Sequence, residues 1–337
     1  MTGGSRGGAV ALLLTHETSE MVLSPAGEGR LGAAVELRRA AGPASEWDLP
    51  SLLRGARACV TGWGTPSITH EVLNEVPDLA FIAHTAGSIR NLLPLEAVGS
   101  RVRVSHAAAL IAESVAEMVV LQILSGVREL HQLDRGLREG EQWRELRRRH
   151  PGRLVGALTV GVIGASRTGR AVIGLLRAFG SRILLADPTV GAAGASGLGV
   201  ELVDLGTLLE RSDAVTIHAP LLPSTRGLLG RAELARLRDG ALLVNSARAG
   251  LVDGDALLDE LRSGRIRAAL DVFPEEPLLP GSVWRDLPGA ILSPHAAGHT
   301  RDGHHRQGAA MVDEVLRFLA GRPLHYEVTA DVVEMLA

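Results

Sequence analysis

The chain has 337 residues and a formal net charge of −3, a length suited to two domains and a charge that offers nucleic acid or an anionic membrane no electrostatic hold. Hydrophobic residues make up 46% and charged residues 22%, the balance of an ordinary globular protein. All 35 basic residues are arginine, which excludes lysine Schiff-base chemistry and the phosphate-binding lysine of P-loop enzymes.

The opening stretch MTGGSRGGAVALLLTHETSE holds an apolar run too short to span a bilayer and reads as a leader entering a first strand. Residues 1–110 then alternate apolar runs with helical patterns: AVALLLT, AAVELRR, RACVTGW, LAFIAHTAG and RVRVSH. This predicts a smaller α/β domain. The single cysteine, Cys59, lies in one of these strands and reads as a small core residue; nothing calls for an oxidising compartment, and the cytoplasm is the expected location. ESVAEMVVLQILSGVRELHQLDRGLREG predicts one long amphipathic helix crossing from the first domain to the second. The basic run RELRRRHPGR, residues 144–153, lacks interleaved aromatics and reads as a solvated connector or an oligomer contact.

From about residue 155 the alternation becomes regular. LTVGVIG, RILLAD, AVTIHAP, ALLVNSA, RAALDVF and AILSPH are short, β-branched-rich runs, with ELVD as a further short piece. Helical patterns separate them, and GAAGASGLG reads as a loop by composition. Gly180, Gly240 and Gly264 stand where helices should stop. The pattern predicts two doubly wound, parallel-sheet domains: residues 1–110, completed by 304–337 with the helix RQGAAMVDEVLRFLAG, and residues 111–303.

GVIGASRTGR follows a strand and opens a helix, as a dinucleotide loop must. Gly164 and Gly169 are the outer glycines of G-x-G-x-x-G, and Ser166 replaces the middle one. Serine is small, and its hydroxyl is expected to donate to a pyrophosphate oxygen at the helix N-terminus. Asp187 ends the next strand, 18 residues after Gly169, placed to accept from ribose hydroxyls. No arginine follows it closely, which favours NAD over NADP.

Three ionisable residues stand just beyond three successive strands: Arg248, Glu276 and His295, separated by 28 and 19 residues. Ligands bind outside the carboxyl ends of a parallel sheet, so these side chains can converge. Arginine offers a planar fork to a carboxylate, histidine exchanges a proton near neutral pH, and a neighbouring glutamate would orient that histidine. With a nicotinamide beside them, the set suits hydride transfer to a 2-keto acid.

The stretches GVIGASRTGR, NSARAG, ALDVFPEEPL and LSPHAAGHT, with ESVAE at 113–117 and DAVTIHAPLLPSTRGLL at 213–229, resemble the D-isomer-specific 2-hydroxyacid dehydrogenase family. The resemblance is strong over residues 110–303 and loose over the first domain. It implies NAD, a D-2-hydroxy or 2-keto acid, and an active-site cleft between the domains. It implies Arg248 as binder of substrate carboxylate and carbonyl, Glu276, rather than its neighbour Glu275, as partner of the histidine, and His295 as acid–base. It further implies that Arg167 and Thr168 touch the pyrophosphate and Asp271 takes the nicotinamide amide. His218, Ala219, Pro220, Ala247 and Gly298 would line the cofactor. In the first domain HTAGSIRN, residues 84–91, matches a loop that binds the substrate carboxylate through backbone N–H groups, here those of Ser88 and Ile89. Trp63 in GWGT would shape the substrate pocket. Arg90 either adds charge there or faces solvent. The resemblance also implies a homodimer paired through the long helix and its arm, about 113–155. His299, His304 and His305 form HTRDGHH, read as the hinge back into the first domain, and no metal is expected. Two other functions suit the same fold: an NAD(H)-sensing corepressor-like interaction protein, and formate oxidation, which the absence of a recognisable formate-pocket motif disfavours.

Overall fold

The computed structural model describes residues 8–287, 289–329 and 333. The expected leader, residues 1–7, lies outside them, as does most of the tail after residue 329. The chain divides into two compact units, Met1–Ile111 with His299–Ala337, and Ala112–Gly298.

In the first unit β1 (Ala9–Leu13) leads through α1 (His16–Val22) and α2 (Pro25–Ala34) to β2 (Glu36–Arg39). Then follow α3 (Leu49–Leu53), β3 (Ala56–Thr61), α4 (His70–Glu75), β4 (Phe81–His84) and β5 (Arg103–His106). The five strands form one parallel sheet in the order β2-β1-β3-β4-β5. Side chains alternate between its faces. Ala11, Leu13, Cys59 and Ile82 pack with Leu53, Leu73 and Leu79 on one side. Val10, Leu12, Val60 and Phe81 pack on the other with Met311, Val312 and Val315 of the late helix, Arg301–Leu319. The C-terminal segment therefore completes the first unit's core. Burial raises the Cys59 thiol far above its usual range, so it is inert filling.

In the second unit α5 (Ala108–Val127, of which the second unit holds the part from Ala112), α6 (Leu130–Arg138) and α7 (Trp143–Arg149) precede β6 (Thr159–Ile163), α8 (Arg167–Ala178), β7 (Arg182–Ala186), α9 (Ala192–Leu198) and β8 (Glu201–Leu202). The chain continues through α10 (Leu205–Arg211), β9 (Ala214–Ile217), α11 (Arg231–Ala235), β10 (Leu242–Asn245), α12 (Gly254–Arg262), β11 (Arg267–Leu270) and β12 (Ala290–Leu292); the late helix is α13. Seven parallel strands run in the order β12-β11-β10-β9-β6-β7-β8, reversing direction of growth between β6 and β9. Helices cover both faces: Val160, Val162, Val244 and Ala269 meet α5 and α8, while Val215, Ile217, Leu243 and Leu270 meet α10 and α12. Among the described residues α5 is the one helix apolar and long enough to cross a membrane, yet Ala116, Val119, Ile123 and Val127 are buried in this core.

Three local expectations are corrected. The expected long helix is two, because Glu129 takes a left-handed φ of 52° between α5 and α6. GAAGASGLG is not a loop: Ala192–Leu198 form α9, and two of the four glycines lie at its ends, Gly191 as N-cap and Gly199 as C-cap at φ 68°. Gly240 does not cap α11, which stops at Ala235; its positive φ of 75° serves the turn into β10. The basic run falls largely on α7, where Arg148 pairs with Glu145 and Arg149 with Glu141.

Candidate active site

The reversal between β6 and β9 opens a crevice at the carboxyl ends of those strands, the place where such sheets bind ligands. The loop after β6 fills its edge. Gly164 has φ 92°, and a Cβ there would stand 2.8 Å from the Ala219 nitrogen. A Cβ on Gly169 would stand 2.2 Å from the Gly164 carbonyl oxygen. Both glycines are therefore required, one for the turn and one for helix against loop. Ser166, exposed, caps α8: its Oγ accepts from the Gly169 N–H at 3.3 Å. The expected phosphate donor is thus first a helix cap, with its own proton left to donate. Arg167 is exposed and Thr168 partly so, both in the first turn of α8.

Asp187 sits one strand over. Its Oδ2 accepts from the Ala165 N–H at 2.6 Å, and its Oδ1 accepts from the N–H and hydroxyl of Thr189 at 2.8 and 2.7 Å. Burial works to raise this carboxyl, but those donors and the Arg170 charge outweigh it and hold it below the usual range. Arg170 was not anticipated; it approaches from α8, with its Nε donating to the Ala165 carbonyl at 2.9 Å.

After β9, His218 points inward. It is 5% exposed, its Nε2 lies 3.0 Å from the Thr216 hydroxyl, and burial lowers it to about 3. Its side chain is therefore neutral filling beneath the glycine loop, while Ala219 and Pro220 after it are partly exposed. The Pro220 carbonyl accepts from Thr225 Oγ1 at 2.6 Å.

Beyond β10, the Asn245 side chain fixes the turn: its Oδ1 accepts from the Ala247 N–H at 3.1 Å and its Nδ2 donates to the Arg248 carbonyl at 3.0 Å. Arg248 is partly buried, and its Nη1 donates to the Ala247 carbonyl at 2.7 Å. Burial pushes the guanidinium below its ordinary value, and the Glu276 charge opposes that. A desolvated cation bound to one neighbouring carbonyl is suited to take an anionic fork.

Glu276 Oε2 meets His295 Nδ1 at 2.7 Å, while Glu276 Oε1 accepts from the Phe273 N–H at 2.9 Å. Burial would raise this carboxyl; the bond to His295, the Phe273 amide and the charges of His295 and Arg248 prevail and keep it low. His295 has φ 52°, its N–H donates to the Asp271 carbonyl at 2.8 Å, and its side chain is half exposed. With Nδ1 engaged by Glu276, Nε2 is the atom free to exchange a proton with a ligand.

Asp271 stands directly after β11. It is fully buried, its Oδ1 accepts from the Ser293 hydroxyl at 2.5 Å and the Ala296 N–H at 2.9 Å, and its Oδ2 accepts from the Ala297 N–H at 2.9 Å. Its oxygens hold the His295 loop. Gly298 follows that loop, partly exposed. Three participants went unread in the sequence: Gln122, Ser246 and Ser293. Gln122 Oε1 accepts from the Ser246 hydroxyl at 2.8 Å, and its Nε2 donates to Ser293 Oγ at 3.3 Å. The available signal was a lone glutamine on the apolar face of α5.

In the first unit, Trp63 is 39% exposed, stacks edge-on against His304 at 5.4 Å between centroids, and borders a cavity of about 480 Å³ with Thr15, Met21 and Pro43. Ser88 is partly buried and Ile89 fully so, its side chain among Leu92, Leu93 and Val104. Beneath that loop His84 Nδ1 lies 2.9 Å from the Thr61 hydroxyl. His299 and His304 stack at 4.5 Å between centroids.

Strand, glycine loop, capped helix and following aspartate define the second unit as a doubly wound dinucleotide-binding domain. Residues 120–297 match the family described as D-isomer specific 2-hydroxyacid dehydrogenase, NAD binding domain, and the chain belongs to that family. It is 33% identical over 302 residues to D-3-phosphoglycerate dehydrogenase of Mycobacterium leprae, covering 89% of this chain and 56% of that one. It is also 33% identical to glyoxylate reductase of Aeropyrum pernix, covering 80% of this chain and 82% of that one. A phosphoglycerate oxidoreductase from Rhizobium etli superposes with a TM-score of 0.78 at 26% identity, covering 95% of this chain and 98% of that one. The chain spans little more than half the length of the phosphoglycerate dehydrogenases it matches, 56% for the first of them.

Proposed function

We propose that the protein is an NAD-dependent oxidoreductase that interconverts a D-2-hydroxy acid and its 2-keto acid. The observation that carries this is the Glu276–His295 bond of 2.7 Å beside the partly buried Arg248, in the same unit as the dinucleotide loop. The cradle formed by Gly164 and Gly169 suits a pyrophosphate, since any side chain there would occupy the space the backbone needs. The nicotinamide, when bound, supplies or accepts the hydride. Arg248 binds the substrate carboxylate and polarises the carbonyl. His295 Nε2 gives a proton to the carbonyl oxygen in reduction and removes it from the hydroxyl in oxidation. Glu276 holds the ring through Nδ1 and so fixes the direction in which Nε2 points. The N–H groups of Ser88 and Ile89 remain the proposed carboxylate donors of the first unit, and Trp63 the wall of its pocket.

NAD rather than NADP is proposed because Asp187 is held ionised, and a carboxylate repels a 2′-phosphate. A homodimer is proposed through the arm after α5, where Leu130, Leu137, Trp143 and Leu154 expose 50–71% of their surface. Sedimentation at the monomer mass would remove that part.

Purified protein should oxidise NADH with at least one member of a 2-keto acid panel, and NADPH much more slowly. His295→Ala should lower kcat by about 10²–10⁴-fold while leaving NADH affinity intact. Binding of NADH without turnover of any keto acid overturns the enzymatic reading and favours an NAD(H)-responsive interaction protein.

A further inference from the structure

We propose that Gln122 is a positioning residue that braces the two strand ends carrying Arg248 and His295 into one register; the catalytic part of this inference rests on the function proposed above. Gln122 is 2% exposed on a helix whose neighbouring buried residues are apolar. It reaches the strand ends because α5 lies unusually close to the sheet. A Cβ on Gly126, one turn further along the same face, would stand 2.6 Å from Leu242 Cδ2 at the start of β10. The helix thus runs against the strand direction and brings Gln122 to the opposite end of β10.

The bonds run in one sense. Ser246 Oγ donates to Gln122 Oε1, Gln122 Nε2 donates to Ser293 Oγ, Ser293 Oγ donates to Asp271 Oδ1, and Asp271 collects the Ala296 and Ala297 N–H groups. Ser246 stands two residues before Arg248, and Ser293 two before His295. Between β10 and β12 lies β11, whose end carries Asp271. One amide therefore ties together the ends of three adjacent strands, those bearing the substrate cation, the loop anchor and the acid–base. Backbone bonds hold the strands in register to Asn245, Leu270 and Leu292 and continue beyond them, from the Asp271 N–H to the Asn245 carbonyl, the Ser293 N–H to the Leu270 carbonyl and the His295 N–H to the Asp271 carbonyl. The side-chain chain adds a second tie across those same ends, reaching β10 through Ser246 and β12 through Ser293, where the chemistry is placed. Both ends of the amide are needed: an acceptor toward β10 and a donor toward β12.

The test uses Gln122→Met, which keeps length and apolar character without the amide, together with Ser293→Ala and the double variant. Exchange of the amide hydrogens over 293–297 is measured first, because it needs no turnover. Gln122→Met should speed exchange there about ten-fold with the melting temperature nearly unmoved. In turnover, kcat/KM for the keto acid should fall about ten-fold or more while the NADH dissociation constant changes less than about two-fold. The double variant should lose little more than the worse single variant, since both break the same chain. Gln122→Glu should do worse than Gln122→Met, because it removes the donor and sets a second carboxylate beside Asp271. Unchanged exchange over 293–297 overturns the brace, as does a loss of NADH affinity and melting temperature in step with kcat/KM. Additive losses in the double variant also overturn it. A wild-type chain that turns over no keto acid removes the proposed function instead, and the exchange measurement still decides the brace.

Discussion

Ser166 illustrates how far one residue can be read without its neighbours. Spacing identified it as the replaced middle glycine, and its size as tolerable there. Its cap on the Gly169 N–H was not legible, because capping depends on the backbone turn that Gly164 creates. Ser166→Ala should cost about 1 kcal/mol of stability and Ser166→Gly only a few tenths, as read by urea denaturation. Equal losses would show that the cap contributes nothing. Arg248, Glu276 and His295 were legible as candidates because each is a charged or titratable residue a few positions beyond an apolar strand. Asp271 too follows a strand, and its carboxylate turns back to bind its own chain, which the pattern did not carry. Direction of a side chain is a packing result, and the sequence pattern carries only its position.

At the scale of elements, strand identity was the easiest feature to read, since buried parallel strands are short runs of β-branched residues. Helix extents were harder. The break at Glu129 follows from bonds that no periodicity encodes: its carboxylate meets His150 at 3.0 Å and Arg267 at 3.0 Å. Glycines within helices divide into two kinds by what surrounds them. A Cβ at Gly308 of α13 would fall 1.6 Å from the Val22 carbonyl at the end of α1, whereas one at Gly174 of α8 would meet nothing within 4 Å. Gly308→Ala should therefore lose about 3 kcal/mol, because backbone cannot move aside as a side chain can. Gly174→Ala should gain about 0.5–1 kcal/mol from helix propensity alone. Thermal denaturation of the two variants checks both signs, and a stable Gly308→Ala protein would refute the close packing of α13 on α1.

For the whole molecule, each unit carries a histidine that it holds neutral. Burial, then the His106 charge, lowers His84 to about 4 against a bond to the Ser88 backbone, and burial alone lowers His218 to about 3. An unfolded chain takes up these protons near pH 6.5. Both units should therefore be fully stabilised above pH 6.5 and lose stability as the pH falls toward 4, by about 1.4 kcal/mol per pH unit for each such histidine. His304 in the first unit and His131 in the second shift the same way. Denaturant midpoints at pH 7, 6 and 5 should fall in sequence, and His84→Asn should flatten the slope for the first unit alone. A midpoint independent of pH over that range would rule the account out. The division into two parallel-sheet units was legible as a repeated alternation of strand and helix. Completion of the first by its returning helix was legible only as a leftover amphipathic segment that needed a face to cover.

His295 occupies a backbone region that glycine enters freely and other residues enter at a cost of about 1–2 kcal/mol. The proposed acid–base is thus a point where thermal endurance and chemistry are traded against one another. His295→Gly should be inactive yet more heat-resistant than His295→Ala by about 1 kcal/mol, since alanine removes the imidazole but keeps the strain. A selection for survival at high temperature without a demand for turnover would be expected to discard this histidine early.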